Sequence, residues 1–219
     1  ELSLGDRITW TEYFHHGDSY YREIKDMPQK SKGVRKYGHD LVEDDPHFNG
    51  GFAEYCYIYP GTGILKLPES ISDEEATPLN CGVATMIAVI EAAEIKMGDS
   101  VVIQGLGLLG LYGCAIAKAN GAGMVIGLDS VDDRLNLSKK FGAVEILNVS
   151  KISEQEIVQR VRELCQPDGA DIVIEVCGQR SVVPSGIVYN TLLLVLANVS
   201  SKSNTLIFLT GALGSRAIF

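Results

Sequence analysis

The run Val101-Val102-Ile103-Gln104-Gly105-Leu106-Gly107-Leu108-Leu109-Gly110 decides the fold. Residues 100–104 are a continuous β-type stretch, the glycines follow at G-x-G-x-x-G spacing, and a small-residue helix is expected over 108–120. A second apolar strand over 124–128 leads to Asp129, 19 residues beyond Gly110. In that setting each glycine has a physical task. Gly105 permits the tight turn, Gly107 lets backbone approach a pyrophosphate, and Gly110 lets the helix close on the sheet. Leu108 and Leu109 open that helix, whose free N–H groups would meet the phosphates. Asp129 would accept hydrogen bonds from an adenosine ribose, and its charge repels a 2′-phosphate, which points to NAD over NADP. The competing reading is a glycine-rich turn in a non-binding α/β domain, with Asp129 as a helix cap.

Working outward, the pattern predicts a helix over 132–141 closed by Gly142, a short strand over 144–148, an amphipathic helix over 154–165 and a fourth strand over 171–176. Apolar strands alternating with helices argue a parallel sheet covered on both faces. Upstream, residues 1–75 are β-rich and turn-rich. A strand is expected at Arg7-Ile8-Thr9-Trp10, and an alternating half-buried strand at 52–58 after Gly50-Gly51. The basic stretch 25–36 reads as a solvated loop. Ser72 with Glu74-Glu75 marks a helix start, and a helix through much of 78–95 joins the two regions.

Composition narrows the function classes. The chain has 219 residues, 46% of them hydrophobic and 21% charged, which excludes wholesale disorder. Its net charge of -9 comes without a Lys/Arg stripe, which argues against nucleic acid or an anionic membrane as a partner. The apolar runs are shorter than the roughly 20 residues of a membrane span. Five scattered cysteines with no CxxC pair suggest free thiols in a reducing, cytoplasmic compartment. The first residue is Glu1, with no signal-peptide layout after it, so a processed chain or a fragment is expected.

Several segments, in order, resemble the zinc-type alcohol dehydrogenases of the medium-chain dehydrogenase/reductase family. They are Gly5-Asp6-Arg7-Ile8, Gly50-Gly51-Phe52-Ala53-Glu54-Tyr55, the helix carrying Cys81 and Thr85, the glycine motif, and Gly169-Ala170-Asp171-Ile172-Val173-Ile174-Glu175. Met27-Pro28-Gln29-Lys30 and Lys36-Tyr37-Gly38-His39 are similar to a subgroup associated with phosphonate catabolism. The resemblance spans about residues 5–187. It implies an α/β protein: a partial GroES-like lobe over 1–80, an incomplete Rossmann doubly wound parallel sheet over 81–187, and a divergent tail over 188–219. It also implies a zinc cleft in intact relatives, with Cys81 matching the third zinc ligand. Thr85 matches a residue near the nicotinamide, and Arg134 a basic residue at the adenosine ribose. From the residues alone, Cys81 is a buried helix thiol and Thr85 an ordinary helix threonine.

The departures matter as much. The family's first zinc-ligating Cys and its His-Glu pair lie upstream of the Gly-Asp-Arg segment, and the chain begins four residues before Gly5. His39-Asp40 lies downstream of the family's position and does not replace them. The four structural-zinc cysteines correspond to His16, Ser19, Arg22 and Ser31. His15 and His16 read as solvent-facing. Residues 188–219 diverge in the manner of a translated intron, and their apolar runs 191–196 and 205–210 are expected either to add as a surrogate edge strand or to remain outside the fold.

These readings imply hydride transfer between an alcohol or carbonyl substrate and NAD by lineage, in homo-oligomeric relatives, and a chain without activity in this form because it lacks zinc ligands. Two alternatives stay open. One is a non-catalytic NAD-binding fragment or splice product; the other is a zinc-independent quinone or enoyl reductase, against which Cys81 and Asp129 argue.

Overall fold

Strands that are apolar on both faces persist only where both faces are covered, and the second half of the chain supplies that cover. The computed structural model describes residues 1–15, 20–25, 33–39, 41, 43, 45, 47–165, 169–179, 182–200 and 203–210. The chain divides into two units, Glu1–Cys81 and Gly82–Phe219.

In the first unit, β1 (Ile8–Trp10) pairs antiparallel with β4 (Ile64–Lys66), and β2 (Tyr13–His15) with β3 (Val34–Lys36). A single turn, α1 (Tyr20–Glu23), follows β2. Its core is aromatic. Phe14 is buried, with its ring stacked 4.2 Å from Tyr59 and tilted 46° against Tyr37 at 4.7 Å. The Tyr37 hydroxyl meets Thr62 Oγ1 at 2.6 Å and accepts the Tyr59 N–H at 2.8 Å, which satisfies the polar end of a buried ring.

The helical run Asp73–Ala93 leads into the second unit. It opens as α2 (Asp73–Ala76), where Ser72 and Glu75 form a reciprocal capping box. A π-helical turn, Leu79–Val83, precedes α3 (Ala84–Ala93). Then come β5 (Ser100–Gln104), α4 (Leu108–Ala119), β6 (Met124–Asp129), α5 (Asp132–Lys140), β7 (Glu145–Asn148), α6 (Glu154–Leu164), β8 (Ala170–Glu175), α7 (Val183–Tyr189), β9 (Asn190–Ser200) and β10 (Ser203–Thr210). The sheet order is β10-β9-β8-β5-β6-β7. β8, β5, β6 and β7 form the expected parallel four-strand block.

The period-2 alternation of β5 divides its side chains between two cores. Val101 and Ile103 join Met86, Val89, Cys114 and Ala117 on the α3/α4 face, while Val102 joins Ile126, Val173, Ile157 and Val161 on the α6 face. Each such fully buried aliphatic side chain contributes about 1.5–3 kcal/mol.

The structure corrects three expectations. Residues 52–58 form no strand: alternation without a neighbouring strand yields no ladder, and Phe52 and Tyr55 are 112% and 83% exposed. The basic stretch 25–36 is not all loop; Val34–Lys36 is β3, and Lys36 is held against Glu12 at 2.9 Å. Residues 26–32 lie outside the described residues. By length and composition, Asp73–Ala93 meets the requirement for a membrane span, with mean hydropathy 1.3. Its row Met86, Val89, Ile90 and Ala93 is nonetheless buried in the protein core. The tail takes the first of the two courses expected for it: both runs enter as strands, β9 parallel to β8 and β10 antiparallel to β9. The reversal follows from the connection: residues 201 and 202 alone separate the strands, whereas a parallel return needs a crossover of about a dozen residues.

β9 occupies the ladder that β8 would otherwise leave open. Removing residues 190–219 is therefore expected to lower the concentration at which the protein begins to scatter light. An unchanged onset would show that β9 does not protect that edge.

Candidate functional site

The site is built where β5 ends. Gly105 takes φ +94°, and its N–H donates to the Leu128 carbonyl at 2.8 Å, so the turn is stitched to β6 as it forms. Two close approaches make the glycines obligatory. A Cβ on Gly105 would stand 2.6 Å from Cys177 Cβ, and one on Gly110 would stand 1.9 Å from the Gly105 carbonyl oxygen. Gly107 differs: a Cβ there would meet nothing within 4 Å. It is the N-cap of α4, and no side chain caps the helix, which leaves the first-turn N–H groups available to an anion.

Asp129 ends β6 and is buried. Its Oδ2 accepts the Leu106 N–H at 2.7 Å, and its Oδ1 accepts the Val131 N–H at 2.9 Å. Each oxygen keeps a lone pair for a further donor. Arg134, exposed on α5, places Nη1 3.9 Å from Oδ2.

The opposite wall comes from the end of β8. Buried Glu175 accepts the Cys177 N–H at 2.7 Å, the Gly178 N–H at 2.8 Å and the Cys177 thiol at 2.9 Å, all at Oε1. Burial around the sulfur, then the hydrogen bond to Glu175, pushes the Cys177 thiol up to about 11. Between the walls lies a crevice of about 430 Å³, lined by Gly105, Gly107, Asp129 and Arg134 on one side and by Cys177 and Gln179 on the other. It opens at the carboxyl ends of the strands where the chain switches from β6 to β8 on either side of β5, the position at which open α/β sheets bind ligands.

Of the residues singled out in the sequence, Gly105, Gly107, Asp129 and Arg134 converge on this crevice. Gly110 acts one layer below it, through its contact with Gly105. Leu109 packs on the core and Leu108 is exposed; neither lines the crevice. Thr85 is half-buried in the first turn of α3. Cys81 is exposed rather than buried. The buried residues of this helical run are Gly82, Met86, Val89, Ile90 and Ala93, and Cys81 precedes the first of them in the π-helical turn. Partial burial, then the Glu12 carboxylate, raises the Cys81 thiol, with Lys36 opposing. His15 is half-buried in β2 opposite Val34, not solvent-facing. His16, Ser19, Ser31 and Asp40 lie outside the described residues, as does the side chain of Arg22. Gln104, Glu175, Cys177 and Gln179 were not singled out from the sequence. A buried acid ending an apolar strand, as Glu175 does, was the available signal.

The parallel sheet with helices on both faces is a Rossmann-type α/β fold. Residues 109–191 match the zinc-binding dehydrogenase family model. The chain is 37% identical over 143 residues to D-xylulose reductase A of Aspergillus oryzae, an alignment covering 65% of this chain and 39% of that protein. An alcohol dehydrogenase from Thermotoga maritima superposes with a TM-score of 0.78 at 27% identity, over 86% of this chain and 52% of that one. Galactitol-1-phosphate dehydrogenase from Escherichia coli shares the fold, with a TM-score of 0.75 at 22% identity over 90% and 53%. The match over residues 109–191 and these likenesses make the chain similar to the zinc-type alcohol dehydrogenases, and it spans about two-fifths of the length of the curated relatives it matches.

The two groups that the family uses fit this chain differently. The dinucleotide fits, because Gly107 leaves an open approach to the α4 N–H groups and the Asp129 oxygens retain acceptor capacity. Catalytic zinc does not fit the described residues. Among them no three His, Cys, Asp or Glu side chains group for a metal, and the Glu12 carboxylate beside Cys81 is already paired with the Lys36 ammonium.

The Cys177–Glu175 contact predicts how that thiol titrates. Its raised value keeps the thiol protonated at neutral pH, and the associated stability is lost as pH rises from about 9 to about 11. Alkylation of Cys177, followed by mass spectrometry, should be slow at neutral pH and rise steeply toward pH 11. Glu175→Gln should speed it at pH 8, and unchanged labelling in that variant would show that Glu175 does not hold the thiol.

Proposed function

We propose that this chain binds NAD(H) in the crevice at the head of β5, and that its lineage is the hydride exchange between an alcohol or carbonyl compound and that cofactor. The single observation that supports this reading most is the pairing of an uncapped α4 N-terminus behind a bare Gly107 with a buried carboxylate at the end of the next strand. In this reading, Leu108 and Leu109 present first-turn N–H groups to the pyrophosphate. Asp129 receives the adenosine ribose hydroxyls with its free lone pairs, while Arg134 approaches the same carboxylate from the solvent side. Thr85, one helical turn after Cys81, seats the nicotinamide. NAD, when bound, supplies the hydride acceptor; the chain's own residues bind it, orient it and exclude water from one face.

On this reading the chain is a dinucleotide-binding member of its lineage without the metal-dependent step. Zinc-independent reduction of a quinone or enoyl compound is the second reading, favoured by the metal-poor surroundings of Cys81. The free state of all five cysteines supports a reducing compartment, the cytoplasm.

Titration with NADH and NADPH tests the cofactor. A carboxylate facing a 2′-phosphate costs about 1–3 kcal/mol, roughly 5- to 150-fold in affinity, so the wild type should prefer NADH by that margin. Asp129→Asn keeps an acceptor oxygen and should narrow the gap; equal affinities in the wild type would refute the assignment. Elemental analysis tests the metal. We expect less than one zinc per chain and no difference in Cys81→Ser. A stoichiometric zinc lost in that variant would restore the metal-dependent reading.

A further inference from the structure

Gln104 ends β5 at the floor of the crevice, 5% exposed, with Glu175 as its cross-strand partner on β8. Its backbone is satisfied, since its carbonyl accepts the Val176 N–H at 2.9 Å. Its side chain is half satisfied. Nε2 donates to the Val182 carbonyl at 3.3 Å, which fixes the amide orientation and leaves Oε1 buried without a partner. Turning the amide over would set oxygen against oxygen at Val182 and leave an N–H orphaned instead. A buried acceptor without a donor is destabilising, and such atoms are rare in folded proteins.

The other end of the same strands gives the contrast. There Asp171 Oδ2 accepts the N–H and hydroxyl of Ser100 at 2.8 and 2.7 Å, and the Ser100 hydroxyl oxygen accepts the Asp171 N–H at 3.0 Å. The strand pair is closed by reciprocal polar pairing below and left one donor short above, at the wall facing the crevice. The missing donor has a direction. Asp129 takes one nucleoside at the β6 side of the glycine turn, and Gln104, Cys177, Gln179 and Val182 line the crevice at the β8 side, where the second nucleoside of a dinucleotide must continue. That nucleoside carries ribose hydroxyl and carboxamide donors.

We propose that Gln104 is a positioning residue for the nicotinamide-side nucleoside, its Oε1 accepting a hydrogen bond that the protein itself does not supply. The proposal rests on the dinucleotide reading above and adds to it a specific contact in the second half of the crevice. The residue acts on binding: a ligand with only the adenosine half does not engage it, and a complete dinucleotide does.

The experiment compares AMP and NADH on the wild type and on Gln104→Met, an unbranched replacement of similar length, by calorimetry with thermal unfolding alongside. In Gln104→Met, NADH affinity should fall about tenfold and AMP affinity should change less than twofold. The ligand-free variant should unfold at an equal or higher temperature, because the orphaned acceptor is gone. An unchanged NADH affinity, or equal losses for AMP and NADH, would overturn the assignment. A wild type that binds AMP but gains nothing from the nicotinamide half would also overturn it while leaving the Asp129 site standing. A wild type that binds neither ligand overturns the dinucleotide reading as well. Should Gln104→Met fail to fold, the side-chain amide resonances of Gln104 in the wild-type protein give the same answer. They should move on addition of NADH and stay in place with AMP, and resonances that stay in place with both overturn the proposal.

Discussion

The Asp129 carboxylate holds the Leu106 N–H at 2.7 Å, and the head of the sheet is organised around that contact. It fastens the turn leaving β5 to the end of β6, and without it a buried N–H would stand unpaired at a cost of about 1–3 kcal/mol. With the turn fixed, Gly105 can lie under Cys177 and its carbonyl can sit where only a glycine at 110 admits it. α4 then comes down close enough to bury Cys114 and Ala117. One carboxylate therefore sets the turn, the helix approach and the wall of the crevice together. This structural role leaves each oxygen with a further lone pair.

The same sheet treats its two ends differently. The lower end is closed by Ser100 and Asp171, which exchange three hydrogen bonds. The upper end gathers Asp129, Glu175 and Gln104, all buried and polar at strand termini. Glu175 spends one oxygen on the turn that follows it, drawing Cys177 over Gly105. The upper end is thus stable enough to hold its shape, yet not chemically complete.

Much of this was legible from residue order. Apolar strands at 100–104, 124–129 and 170–175, with a glycine motif between the first and its helix, leave few arrangements other than a parallel sheet. The convergence of Gly105, Gly107, Asp129 and Arg134 follows from the same reading. What escaped it depends on partners that are distant in sequence. Residues 52–58 alternate like a strand and have no ladder to join. Lys36 looked like one solvated charge among several until Glu12 was found opposite it. The exposure of Cys81 depends on its place in a π-helical turn beside buried Gly82, which a run of small apolar residues does not announce. The orphaned Gln104 oxygen is set by Val182, 78 residues away. No local pattern carries such a fact.

The two halves of the lineage's chemistry therefore stand unequally in this chain. Cofactor recognition needs a turn, a helix terminus and one acid, and all of these come from a single contiguous stretch that also builds the core. Metal chemistry needs thiolates and imidazoles brought from separate places, and each must lose its proton to bind. Cys81 meets the opposite conditions. Its thiol is raised by partial burial and by Glu12, and Glu12 is neutralised by Lys36 at 2.9 Å. A dication arriving there would have to displace an ammonium from its carboxylate and a proton from a thiol held in its neutral form. The head of β5 sets no such obstacle: the approach at Gly107 is open, and the Gln104 acceptor beside it is unpaired.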